Sequence, residues 1–162
     1  DLSFHLGVLN EPEFKSCEAF CINGLDQVPA GTKVFTVEEH GGALLSFENG
    51  LKYYWERANN AHHEVPHQTS IYGTKGGLRF TYTSFGDVHE IEHFFTGNNG
   101  KGEPKKKVLK VNMARHDKGD MHPVGQAIIN ALQGKGPVPM PLELELKNLE
   151  ILHAVYKAAN WQ

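Results

Sequence analysis

The stretch Gly42-Ala-Leu-Leu-Ser-Phe-Glu-Asn-Gly-Leu-Lys-Tyr-Tyr-Trp-Glu-Arg57 sets the character of the fold. Two apolar and aromatic runs flank Glu48-Asn49-Gly50, and Asn-Gly between such runs is the strongest short hairpin signal. Gly42–Phe47 is therefore expected as one strand and Leu51–Arg57 as its return. Strand alternation puts Tyr53 and Trp55 on one face and Tyr54 and Glu56 on the other. The pair Gly41-Gly42 reads as a break from an earlier strand, Val34–Glu39.

Outward from this hairpin the same reading repeats. Residues 14–22 form a strand, with Phe14 and Cys17 to Ile22 rich in apolar side chains. Ser70–Tyr72 enters the turn Gly73-Thr-Lys-Gly-Gly77, and Leu78–Thr83 leaves it. Val88–Phe95 and Lys105–Val111 make a further pair around a Gly/Asn loop. The period changes at both ends of the chain. Leu2, Leu6 and Leu9 share a helical face that Asn10-Glu-Pro12 terminates. His122–Leu132 carries a stripe of Val124, Ala127, Ile128, Ala131 and Leu132, with Asp120 as a candidate cap and Gly134 as the stop. A last helix follows, with Leu146, Leu149, Leu152, Val155, Tyr156 and Ala159 on one side. Segregated strands and helices define an α+β class: an open, mostly antiparallel sheet with helices packed on one face.

Composition narrows the function. The chain has 162 residues, 16 Lys+Arg against 19 Asp+Glu, and a net charge of −3 with its ten histidines neutral. A basic surplus, the mark of nucleic-acid or anionic-membrane binding, is lacking. No run approaches the roughly 18 apolar residues of a transmembrane helix. Cys17 and Cys21, the two cysteines, lie four strand rises apart, roughly 13 Å. That is beyond disulfide reach, so they read as small core residues.

Motifs that suggest catalysis fare unevenly. His89-Glu-Ile-Glu-His93 matches a zinc-hydrolase pattern that needs a helix, yet its residues alternate as a strand does. A zinc metallohydrolase through His89, Glu90 and His93 is thus an alternative, as is a non-enzymatic interaction domain. His62, His63 and His67 fall in a polar loop without partners at metal-ligand spacing. Gly73-Thr-Lys-Gly-Gly77 lacks phosphate-loop spacing and leads into a strand. No Gly-x-Gly-x-x-Gly occurs. Lys105-Lys-Lys107 suits a charged edge strand. Asp1 and His5 stand i,i+4 on a helix, where an acid can orient an imidazole for proton transfer.

Four segments together resemble the C-terminal domain of the Gfo/Idh/MocA oxidoreductases. They are Leu45-Ser-Phe-Glu-Asn-Gly50, Ile71-Tyr-Gly-Thr-Lys-Gly-Gly-Leu78, Ala127-Ile-Ile-Asn-Ala-Leu-Gln-Gly134 and Leu149-Glu-Ile-Leu-His-Ala-Val-Tyr-Lys-Ala158. They occur in the family's order and span nearly the whole chain. The resemblance implies that 1–162 is one such domain, used for substrate binding and oligomerisation. The N-terminal Rossmann domain is expected to lie outside this chain. NAD or NADP is then the cofactor of the full-length protein, and none is expected in this fragment, which alone is expected to be inactive. The implied partners are a sugar, inositol or similar polyol, the protein's own Rossmann domain, and a second copy met through the sheet face, in the cytoplasm. Asp1 and His5 are the catalytic candidates in one register of the family's Asp-x-x-x-His-x-x-Asp stretch. In the other register Asp1 is the final Asp, and the catalytic His lies upstream; the early helix end at Asn10 favours that register. Tyr53, Trp55, His62, His63 and His67 are the candidates for substrate contact.

Overall fold

The computed structural model describes residues 2–23, 37–58, 68–81, 88–97, 102–112, 122–139 and 141–161. Three helices and seven strands occur among them. The strands form two antiparallel sheets, one of three strands and one of four. The chain divides into two compact units, Asp1–Glu64 with Val138–Gln162, and Val65–Pro137. The α+β class and the antiparallel pairing follow the sequence reading.

The first unit is built around a central strand. Strands β1 (Phe14–Ile22), β2 (His40–Phe47) and β3 (Lys52–Ala58) lie in that order. Ala43, Leu45 and Phe47 of β2 are buried, and Leu45 is fully so. Helix α1 (Leu2–Val8) contributes Leu2 and Leu6 to this core. Helix α3 (Leu142–Ala158) contributes Ile151 and Val155. Alternation puts Leu44 on the other face, where it is exposed with Phe20, Ile22 and Tyr54.

The hairpin between β2 and β3 falls where Asn49-Gly50 predicts it. It is a three-residue loop: Gly50 sits at φ 84° and donates to the Phe47 carbonyl at 3.0 Å. That positive φ is the glycine's contribution, since a Cβ there is strained. The pair Gly41-Gly42 does not interrupt the strand as expected; both residues lie within β2. Gly42 faces Phe20 across the ladder, and a Cβ at Gly42 comes within 2.6 Å of the Phe20 ring. The glycine is a seat for an aromatic ring. Of the strand expected over 34–39, residues 37–39 precede β2 without joining it, and 34–36 lie outside the described residues.

All three helices end in one way. Asn10, Gly134 and Asn160 have φ of 63°, 68° and 53°. Glu11 N–H donates to the Leu6 carbonyl at 2.8 Å, Lys135 to Asn130 at 2.8 Å, and Trp161 to Tyr156 at 3.0 Å. These are Schellman closures, which satisfy the last orphan carbonyls of each helix. Helix α2 (His122–Leu132) belongs to the second unit, and its expected cap Asp120 lies outside the described residues.

In the second unit, β4 (Gln68–Gly73), β5 (Gly76–Thr81), β6 (Val88–Thr96) and β7 (Pro104–Asn112) form a meander. Gly73-Thr-Lys-Gly76 is a tight hairpin turn, as expected. A Cβ at Gly76 meets the Phe94 carbonyl at 2.6 Å. Across β5, β6 and β7 the Glu92 carboxylate accepts from both Arg79 and Lys106. The bond from Arg79, then that from Lys106, pulls its carboxyl down to about 2.

Three outcomes test this architecture. Leu45→Ala is expected to cost about 2–5 kcal/mol in denaturant unfolding, because it opens a cavity at a fully buried site. Asn148 is buried, and its Oδ1 has no hydrogen-bond partner among the described residues. Asn148→Leu is therefore expected to leave the melting temperature unchanged or raise it. The low Glu92 pKa means that its contribution is complete above the ordinary value of 4.5 and fades as pH falls towards about 2. Carboxyl NMR titration of Glu92 reads this directly.

Candidate functional site

His5 lies on the short helix α1, and Tyr53 lies on the helix-facing side of β3. Tyr53 pairs with the fully buried Leu45, which fixes its direction. His5 Nδ1 and the Tyr53 hydroxyl are 2.7 Å apart, and the two rings are 5.7 Å apart. Burial pushes the Tyr53 hydroxyl up to about 12 and holds His5 below its usual value. Both shifts favour the neutral forms near pH 7. In that state the tyrosine O–H donates to Nδ1 in the tautomer that carries its proton on Nε2. Because Nε2 already carries its proton in that tautomer, the imidazole takes up a further proton only at Nδ1, with the Tyr53 hydroxyl turning from donor to acceptor. Ser3 Oγ donates to Glu145 at 3.0 Å and ties α1 to α3.

Two residues along β3, on the same face, Trp55 lines a small open cleft of about 50 Å³. Cys21, Glu38, Arg57, Leu152 and Tyr156 are among its other walls. Tyr156 donates to Glu38 Oε1 at 2.9 Å. Burial, and then the Glu38 carboxylate, raises the Cys21 thiol pKa, so the sulfur stays protonated and is a poor nucleophile. The cleft thus sets an indole and an apolar helix side against a carboxylate, a guanidinium and a phenol. This is the mixture that binds small polar ligands with a ring or carbon face.

The sequence candidates separate accordingly. The structure brings His5 to Tyr53 and places Trp55 in the cleft. Asp1, His62, His63 and His67 lie outside the described residues. His89, Glu90 and His93 lie in β6. The strand separates the α-carbons of the two histidines by roughly 13 Å, and the helix that the zinc motif needs is not there. Among the described residues no group of three His, Cys, Asp or Glu side chains is placed to hold a metal ion. None of the described helices is long and apolar enough to cross a membrane. Glu38, Cys21 and Tyr156 escaped the sequence reading. Each sits on a different element, and no local spacing links them.

No protein-family model matches the sequence, and no curated protein matches it. Solved structures match in fold. A UDP-N-acetylglucosamine 3-dehydrogenase from Acidithiobacillus ferrooxidans aligns with TM-score 0.70 and 18% identity, covering 98% of this chain and 45% of that one. An NAD binding oxidoreductase from Klebsiella pneumoniae gives 0.73 and 18%, over 98% and 46% of the two chains. Levoglucosan dehydrogenase, solved with NADH and L-sorbose, gives 0.68 and 18%, over 91% and 43%. These are Gfo/Idh/MocA-type dehydrogenases, and the chain has the fold of part of them. It spans less than half the length of each.

The His5–Tyr53 pair makes a clear prediction. The folded chain holds the imidazole neutral, whereas the unfolded chain takes up a proton near the ordinary value of 6.5. Stability from this site is then complete above pH 6.5 and declines as pH falls below it, because the unfolded state binds more protons there. Long-range ¹H–¹⁵N NMR should show His5 titrating below 6.5, with Tyr53 still protonated at about pH 10.

Proposed function

We propose that this chain is the substrate-binding and oligomerisation part of an NAD(P)-dependent oxidoreductase acting on a sugar, inositol or similar polyol. One observation carries the reading: nearly the whole chain shares its fold with under half of several dehydrogenases, one of them solved with NADH and L-sorbose. The remainder of such a protein has room for the cofactor. The described residues do not fit a dinucleotide by themselves. Among them no strand passes through a glycine-rich turn into a helix, the arrangement that cradles a pyrophosphate. In this reading NAD(P) belongs to a Rossmann domain outside this chain, and the hydride chemistry goes with it.

Within the reading, the cleft at Trp55 receives the substrate's carbon face, and its polar wall receives hydroxyls. His5 is a proton-accepting candidate beside it, with Asp1 as its acidic neighbour in one register and an upstream His as the acid/base in the other. His62, His63 and His67 follow β3 in sequence and are proposed to complete the substrate contacts. The exposed apolar side chains Phe20, Ile22, Leu44 and Tyr54, on the face of the three-stranded sheet away from α3, support assembly of like subunits. The cytoplasm is the compartment that suits such an enzyme.

Titration calorimetry of the chain with NADH is expected to show no binding. Saturation-transfer NMR with a panel of sugars and polyols is expected to give contacts that Trp55→Ala removes. Tight NADH binding by the chain alone, or the same sugar response after Trp55→Ala, overturns the proposal.

A further inference from the structure

The second unit carries a separate feature. Its register sets Tyr72, Gly77, Phe94 and Lys106 in one cross-strand row, and Ser70, Arg79 and Glu92 in the next row on the same face. Gly77 leaves a gap between Tyr72 and Phe94, two strand spacings or roughly 9.5 Å wide. A side chain there meets the Ile71 carbonyl at 2.9 Å, so the strands' own approach keeps the gap open. The concavity around it holds about 490 Å³ and includes Ser70, Tyr72, Lys75, Arg79 and Phe94 in its lining.

The Arg79 guanidinium, in the row beside this gap, is set in position beforehand. It lies over the Phe94 ring, 5.3 Å from its centroid, and its Nε donates to Glu92. That bond uses neither Nη group. Glu92 also accepts from Lys106 at 2.8 Å, so one carboxylate serves two cations and a positive charge is left over. Lys75 at the turn adds to it. Across the gap, the Tyr72 side chain is 92% exposed, more than any other large apolar or aromatic side chain described. A fixed fork of donors suits phosphate or carboxylate, and a bare aromatic face suits a planar ring.

We infer that this face of the four-stranded sheet is a binding site for a nucleotide, with its phosphate on Arg79 and its base on Tyr72. The two side chains are diagonal neighbours on adjacent strands, about 7–8 Å apart, within the span of a nucleoside 5′-phosphate. The site belongs to the second unit and does not depend on the function proposed for the Trp55 cleft.

Calorimetry of the chain in low salt, with uridine 5′-monophosphate, uridine and inorganic phosphate as probes, tests the site. The nucleotide is expected to bind about tenfold tighter than phosphate, the margin that base stacking supplies. Tyr72→Ala is expected to abolish that margin. Arg79→Lys is expected to weaken nucleotide and phosphate alike by about tenfold, because a lysine has no fork. Both side chains lie on an exposed face; circular dichroism checks the fold, and Tyr72→Ala alone decides if Arg79→Lys disturbs it. No saturable binding of the nucleotide, equal affinity for nucleotide and phosphate, or unchanged affinity in a folded Tyr72→Ala chain overturns the inference.

Discussion

Burial of one strand organises the first unit. Alternate residues of β2 need an apolar cover, and a hairpin cannot supply it. The cover comes from both ends of the chain: α1 brings Leu2 and Leu6, and α3 brings Ile151 and Val155. Leu45 is the point where these contributions meet. Its cross-strand partners Cys17 and Tyr53 are fixed in the same act. The direction of Tyr53, and so its bond to His5, is a consequence of how β2 is buried. Chemistry and core are not separable here, because one face of β3 serves both.

Much of the fold could be read from local pattern. Asn49-Gly50, the alternation over 88–95 and the helical stripes each specify an element through contacts within a few residues. What failed was non-local. Gly41-Gly42 reads as punctuation because two glycines weaken a strand, but a ring on the neighbouring strand supplies the missing side chain. The division of seven strands into two sheets depends on pairings that no single strand's pattern encodes.

The site was legible only where a residue's chemistry stood out by itself. His5 and Tyr53 could each be named, but not their meeting, which joins positions 48 residues apart. Trp55 advertised itself as an aromatic next to polar loops. Cys21 and Tyr156 looked like ordinary apolar positions, and they do pack as such. Their second role comes from Glu38, whose carboxylate Tyr156 reaches across 118 residues of sequence. An apolar stripe says which way a helix faces and nothing about what faces it.

The second unit interrupts the first in sequence, between Glu64 and Val138. This sets an order in time as the chain leaves the ribosome. The four-stranded meander pairs only neighbours and can close as soon as Asn112 has emerged, because short loops cost little entropy. The first unit must wait for α3, which follows the second unit in sequence. Until then β2 has only α1 to cover its apolar face. The nascent chain therefore carries a finished sheet beside an unfinished one, and its most aggregation-prone interval falls while residues 65–137 are being made. A slow codon in that span would lengthen this exposure without altering a single residue of the mature fold.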